Sequence, residues 1–98
     1  MYRRGTRLRG SVISVVFART GSRTVRLGFS VPGRLGGSVL RNRFKRQVRE
    51  FVRLEQVDGV DLVVSPNGLL EEIACEVLRE DLRAMAERIR QELPQGSP

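Results

Sequence analysis

The 98-residue chain carries 18 Lys and Arg against 11 Asp and Glu, a net charge of +7, with no His and a single Cys. These counts exclude an internal disulfide, a zinc site built from cysteine and histidine, and any catalytic arrangement that needs an imidazole. No apolar stretch approaches the roughly 18 residues of a membrane span, and no hydrophobic segment precedes Val12, so a cytoplasmic protein with no membrane partner is expected.

One domain is expected over residues 1–98, with 94–98 as a frayed tail. Residues 7–10 read as a short edge strand. Residues 11–18 (Ser-Val-Ile-Ser-Val-Val-Phe-Ala) are rich in β-branched side chains and predict a longer one. Thr20-Gly21-Ser22 supplies a turn. Residues 24–31 follow as a strand with Val25, Leu27, Phe29 and Val31 on one face, and the two strands are expected to pair as an antiparallel hairpin. Pro32-Gly33 breaks the strand, Gly36-Gly37 leads into a helix, and Ser38 is the expected N-cap. That helix should run to about Glu55. Asp58-Gly59 turns into a buried strand over residues 60–65, and Pro66-Asn67-Gly68 makes a loop. From Leu70 onward, apolar residues at 74, 77, 78, 82, 85 and 89 mark a second amphipathic helix, which Pro94 stops. Cys75 falls within it as a small buried hydrophobe, while Glu71-Glu72 and Glu80-Asp81 belong to its solvated face. The element order predicts an α+β, two-layer sandwich of helices on one sheet.

Charge is distributed unevenly along this framework. Residues 1–50 hold thirteen Lys and Arg and one acid, Glu50; the remainder holds five Arg and ten acids. The first half is therefore at +12 and the second at −5. Five of the cations, Arg41, Arg43, Lys45, Arg46 and Arg49, lie within nine residues of the first helix. At about 100° per residue counted from Leu40, the apolar Phe51, Phe44, Val48 and Val52 fill the first ~120° of its circumference. Arg41, Lys45 and Arg49 then reach about 180°, Asn42, Arg53 and Arg46 fall between ~200° and ~240°, and Arg43 at about 300°. A stripe docks on a core, and the rest is a cationic surface suited to polyanion. Clustering on this scale steers anions to one face, and nucleic acid is the expected partner. An anionic membrane is the weaker alternative, because the helix lacks a wide apolar face with Trp. With only Tyr2, Phe17, Phe29, Phe44 and Phe51 as aromatics, recognition should rest on phosphate contacts and shape rather than base stacking. No catalytic or metal-ligating residues are assigned; Asp58 and Asp61 are the one tight carboxylate pair outside a helix and read as a turn.

The run Arg-Leu-Gly-Phe-Ser-Val over residues 26–31, then Gly36 and Val-Leu-Arg-Asn-Arg-Phe-Lys-Arg-Gln-Val-Arg-Glu over 39–50, closely resembles the protein subunit of bacterial ribonuclease P. That family carries an R-x-G-x-x-V strand, a loop, and the pattern G-x-A-V-x-R-N-R-x-K-R-x-x-R-E. The resemblance covers about residues 5 to 90. It implies a ribosomal protein S5 domain 2-like fold, with the Arg-Asn-Arg helix in a left-handed βαβ crossover. It also implies an RNA-binding subunit that assists a catalytic RNA, itself using Mg²⁺, in removing the 5′ leader from precursor tRNA. The implied partners are ribonuclease P RNA and that leader. By the motif positions, Arg34, Arg41, Asn42, Arg43, Lys45, Arg46 and Arg49 would meet RNA, with Arg26, Val16, Phe17 and Arg53 as secondary or leader contacts. Ser38 stands where the family has alanine, Gly33 and Pro32 replace a lysine and a serine, and Val16 lies near an often aromatic position. The family's N-terminal helix has only residues 2–5 as its counterpart here, which would expose sheet surface and permit a homodimer. Two other readings remain at this point: a small ribosomal or ribonucleoprotein-assembly protein on another RNA, and a metal-dependent nuclease using Asp58 and Asp61.

Overall fold

The computed structural model of the chain describes residues 5–19, 26–55 and 59–92. Four strands form one sheet: β1 (Thr6–Arg9), β2 (Ile13–Arg19), β3 (Arg26–Phe29) and β4 (Val60–Pro66). Two helices, α1 (Ser38–Glu55) and α2 (Cys75–Glu92), complete the fold, with 3₁₀ turns at Gly33–Leu35 and Leu70–Glu72. The sheet order is β1-β2-β4-β3.

That order corrects the expected hairpin. β2 pairs antiparallel with β1 on one side and β4 on the other, while β3, among the described residues, pairs only with β4, in parallel. The strand patterns explain why β4 takes the centre. Val60, Leu62 and Val64 are all buried and Val63 is half-buried on the opposite face. Such a strand gains most from neighbours on both edges. The chain leaves β3, crosses through the 18-residue α1 and returns to β4, as a parallel connection requires.

Alternation along the strands sends Leu8, Ile13, Val15, Phe17, Leu62 and Val64 to one face, where Phe44, Val48 and Val52 of α1 and Leu78, Leu82, Met85, Ala86 and Ile89 of α2 complete the core. The opposite face carries Arg7, Arg9, Ser14, Val16, Ala18, Arg26, Gly28, Asp61, Val63 and Ser65, aligned by the strand register. No helix among the described residues packs on it.

Several local expectations shift. The Arg41 N–H bonds to the Gly37 carbonyl at 2.9 Å, so Gly37 takes the cap position and Ser38 the first helical one. The second helix begins at Cys75 rather than Leu70, because Leu70–Glu72 closes separately as a 3₁₀ turn. Cys75 is consequently exposed, with its sulfur accepting from Gln47 Nε2 at 3.3 Å. Asp81 leaves the solvated face: its carboxylate accepts the backbone N–H groups of Ser11, Val12 and Ile13 at 3.0, 2.8 and 3.0 Å. Gly59 has φ 78°, the left-handed conformation a turn into β4 needs. Asp58 and Pro94, like Tyr2 and Val25, lie outside the described residues.

Candidate nucleic-acid interface

α1 is held as a rigid beam. Phe44 and Val48 are buried at its middle, and Arg90 of α2 ties down its end, donating to the Glu55 carbonyl at 3.0 Å and its carboxylate at 2.9 Å. A cation on the last carbonyls also complements the helix dipole. The outward side of this beam is cationic. Among the described residues, Arg41, Arg43, Lys45, Arg46 and Arg49 form no ion pair; Arg53 pairs with Glu50 at 3.7 Å, with both side chains largely in solvent. An exposed pair of this kind is worth little and leaves Arg53 available.

The cations form three groups rather than one. Arg41, Lys45 and Arg49 recur every four residues and share one flank, the side nearer β3, where the Arg49 guanidinium carbon lies over the Phe29 ring, 5.6 Å from its centroid. Asn42, Arg46 and Arg53 crown the helix and are exposed. Arg43 lies on the other flank, beside a groove of about 500 Å³ that it shares with Leu40, Gln47, Glu71 and Cys75. Arg41 is half-buried, and its shielded Nε has no partner. Arg34 is exposed in the 3₁₀ turn that feeds α1.

The open sheet face is a second cationic surface. Arg7, Val16, Val63 and Gly28 form one row across all four strands, with Arg9 opposite Ser14 in the next. Arg26 is in register with Asp61, yet the two form no ion pair and Asp61 Oδ1 is shielded without a partner. Val16 therefore lies half-buried on this open face. Phe17 does not: adjacent strand residues face opposite sides, and Phe17 is 3% exposed in the core. Sequence reasoning passed over Arg7 and Arg9, although their alternation with Leu8 was the available signal.

The ribonuclease P family profile matches residues 1–90. The chain belongs to the ribonuclease P protein family. It is similar to ribonuclease P protein components of Finegoldia magna (36% identical over 85 residues, 84% of this chain and 74% of the relative). Another from Oleidesulfovibrio alaskensis is 38% identical over 96 residues, 86% of this chain and 77% of the relative. Among solved structures, the RNase P protein of Thermotoga maritima in complex with 1-(4-fluorophenyl)-2-thiourea superposes with a TM-score of 0.79 at 32% identity, covering 89% of this chain and 88% of the other. A Staphylococcus aureus RNase P protein at 23% identity and TM-score 0.80 shares the fold, covering 91% of this chain and 84% of the other.

As a ribonuclease P protein, the chain is a subunit of the tRNA-processing holoenzyme and a partner of ribonuclease P RNA. The family motif residues of α1 are brought to one helix, but only the crown and the β3 flank are contiguous. Arg43 stands apart from them, on the far side of the beam.

Proposed function

We propose that this subunit binds ribonuclease P RNA through α1 and receives the 5′ leader of precursor tRNA on the open sheet face. The observation that carries the first half is the set of five α1 cations without carboxylate partners among the described residues. Arginine can meet phosphate with bidentate, charge-assisted bonds, and Lys45 adds a point charge. The second half rests on the sheet. Arg7, Arg9 and Arg26 surround Val16 and Val63, a cationic and partly apolar strip suited to a single strand. The same arginines would repel a second copy placed face to face, which favours leader RNA over a homodimer there.

Among the described residues, no three Asp, Glu, Cys or His side chains converge. Among these residues the donor set does not fit a protein-held Mg²⁺, and we assign the hydrolytic metal to the RNA. The test is precursor-tRNA processing at low Mg²⁺, with bacterial ribonuclease P RNA present or absent and this protein titrated in. Correct 5′ cleavage should rise only when both are present. Cleavage by protein alone, or no stimulation at saturating protein, would overturn the reading.

A further inference from the structure

We propose that Phe29 is a positioning residue for RNA binding, acting through Arg49. The inference rests on the reading of α1 as the RNA-binding helix and names a device within it. Phe29 ends β3, the edge strand of the sheet, and is half-buried rather than enclosed. Its ring meets that of Phe44 edge to face, with centroids 6.3 Å apart and planes at 70°. Phe44 is 4% exposed, so the ring of Phe29 is braced by the core itself. The exposed Arg49 then sits above Phe29 at 5.6 Å, inside the distance at which a cation is attracted to an aromatic face. A fixed core ring thus orients a surface ring, which orients a guanidinium.

What this arrangement leaves free matters most. An aromatic face attracts the charge of a guanidinium but takes up none of its five N–H donors in a conventional hydrogen bond. Among the described residues, Arg49 has no carboxylate partner. Its donors remain available for two oxygens of one phosphate, and the side chain has already lost part of the rotamer freedom it would otherwise lose on binding. The position adds to the effect. Arg49 stands on the flank of α1 at the sheet edge, and Arg26 begins the same edge strand on the open face. A phosphate held by Arg49 would lie at the edge where the helix surface meets the sheet. Sequence patterning placed Phe29 on the apolar face of a strand and Arg49 on the helix surface; the contact between them joins those two assignments.

The test measures affinity of the full chain for ribonuclease P RNA at fixed salt, with far-UV circular dichroism confirming the fold of each variant. Phe29→Leu should weaken binding about two- to fivefold in the native background, the worth of one exposed cation–ring contact. It should have no effect in an Arg49→Ala background. Phe29→Tyr, which keeps the ring, should bind like the native protein. Arg49→Lys, a change at an exposed side chain, should lose affinity while the salt dependence stays unchanged, because the charge remains and the planar fork is gone. Equal losses from Phe29→Leu in both backgrounds would reduce Phe29 to simple packing and overturn the proposal. So would native affinity in Arg49→Lys. If Arg49→Ala were silent while Arg41→Ala weakened binding, this device would fail and the helix assignment would stand. If both were silent, the helix assignment itself would fail.

Discussion

Asp81 holds the turn between β1 and β2 from a helix nearly seventy positions away in sequence. One of its oxygens accepts from Ser11 and the other from Val12 and Ile13. A carboxylate meets these three donors with charge-assisted bonds; an amide offers one oxygen and places an NH₂ against the remaining N–H groups. Asp81→Asn should therefore cost about 2–4 kcal/mol, read as a lower urea midpoint with an unchanged m-value. Gly10→Ala should act on the same contact, since a Cβ there would lie 2.6 Å from both Asp81 oxygens and from Met85 Cε. The two substitutions share one contact, so the double variant should lose less than the sum. Full additivity would mean that the turn is not held by Asp81. Nothing in the sequence marks this residue. Glu80 and Asp81 are adjacent acids on an amphipathic helix, and the donors that separate them are backbone groups, which composition does not reveal. Cys75 misled for a related reason: an apolar period ran through it, but the helix starts at that residue and leaves it exposed.

Among the elements, α1 was the most legible. Its period-3.6 apolar stripe, its glycine approach and its end near Glu55 all follow from side-chain spacing, and the structure places the helix at Ser38–Glu55. The strands were legible as strands but not as a sheet. Pairing partners depend on where an 18-residue crossover delivers the chain, and two strong neighbours in sequence look like a hairpin whether or not a third strand lies between them. The grouping of cations on α1 gives this scale its prediction. Arg46→Ala on the crown should lower the slope of log K against log salt for ribonuclease P RNA by about 0.7–0.9, the loss of one phosphate contact. Arg53→Ala should lower it by a similar amount, because its solvent-exposed pair with Glu50 at 3.7 Å leaves it available. Equal slopes for the native chain and Arg46→Ala would remove the crown from the interface.

Across the whole molecule, the excess of positive charge in the first half becomes two surfaces separated by the sheet. α1 lies on the core side, and Arg7, Arg9 and Arg26 lie on the open side. If the two surfaces serve different RNAs, substitutions should separate by substrate rather than by overall affinity. The paired change Arg7→Ala with Arg9→Ala removes two cations from the open face without touching the core, since both side chains are exposed. It should leave affinity for ribonuclease P RNA unchanged. It should weaken holoenzyme binding of precursor tRNA by about tenfold, at up to one decade for two phosphate contacts in moderate salt. The same change should leave a mature tRNA without a leader unaffected, because that ligand has nothing to lay across the sheet. The comparison is made by titrating reconstituted holoenzyme with leader-bearing and leaderless tRNA at one salt concentration. Equal losses for the two ligands would place Arg7 and Arg9 on the tRNA body. A loss confined to ribonuclease P RNA would mean that the open face, like α1, belongs to the subunit's own RNA.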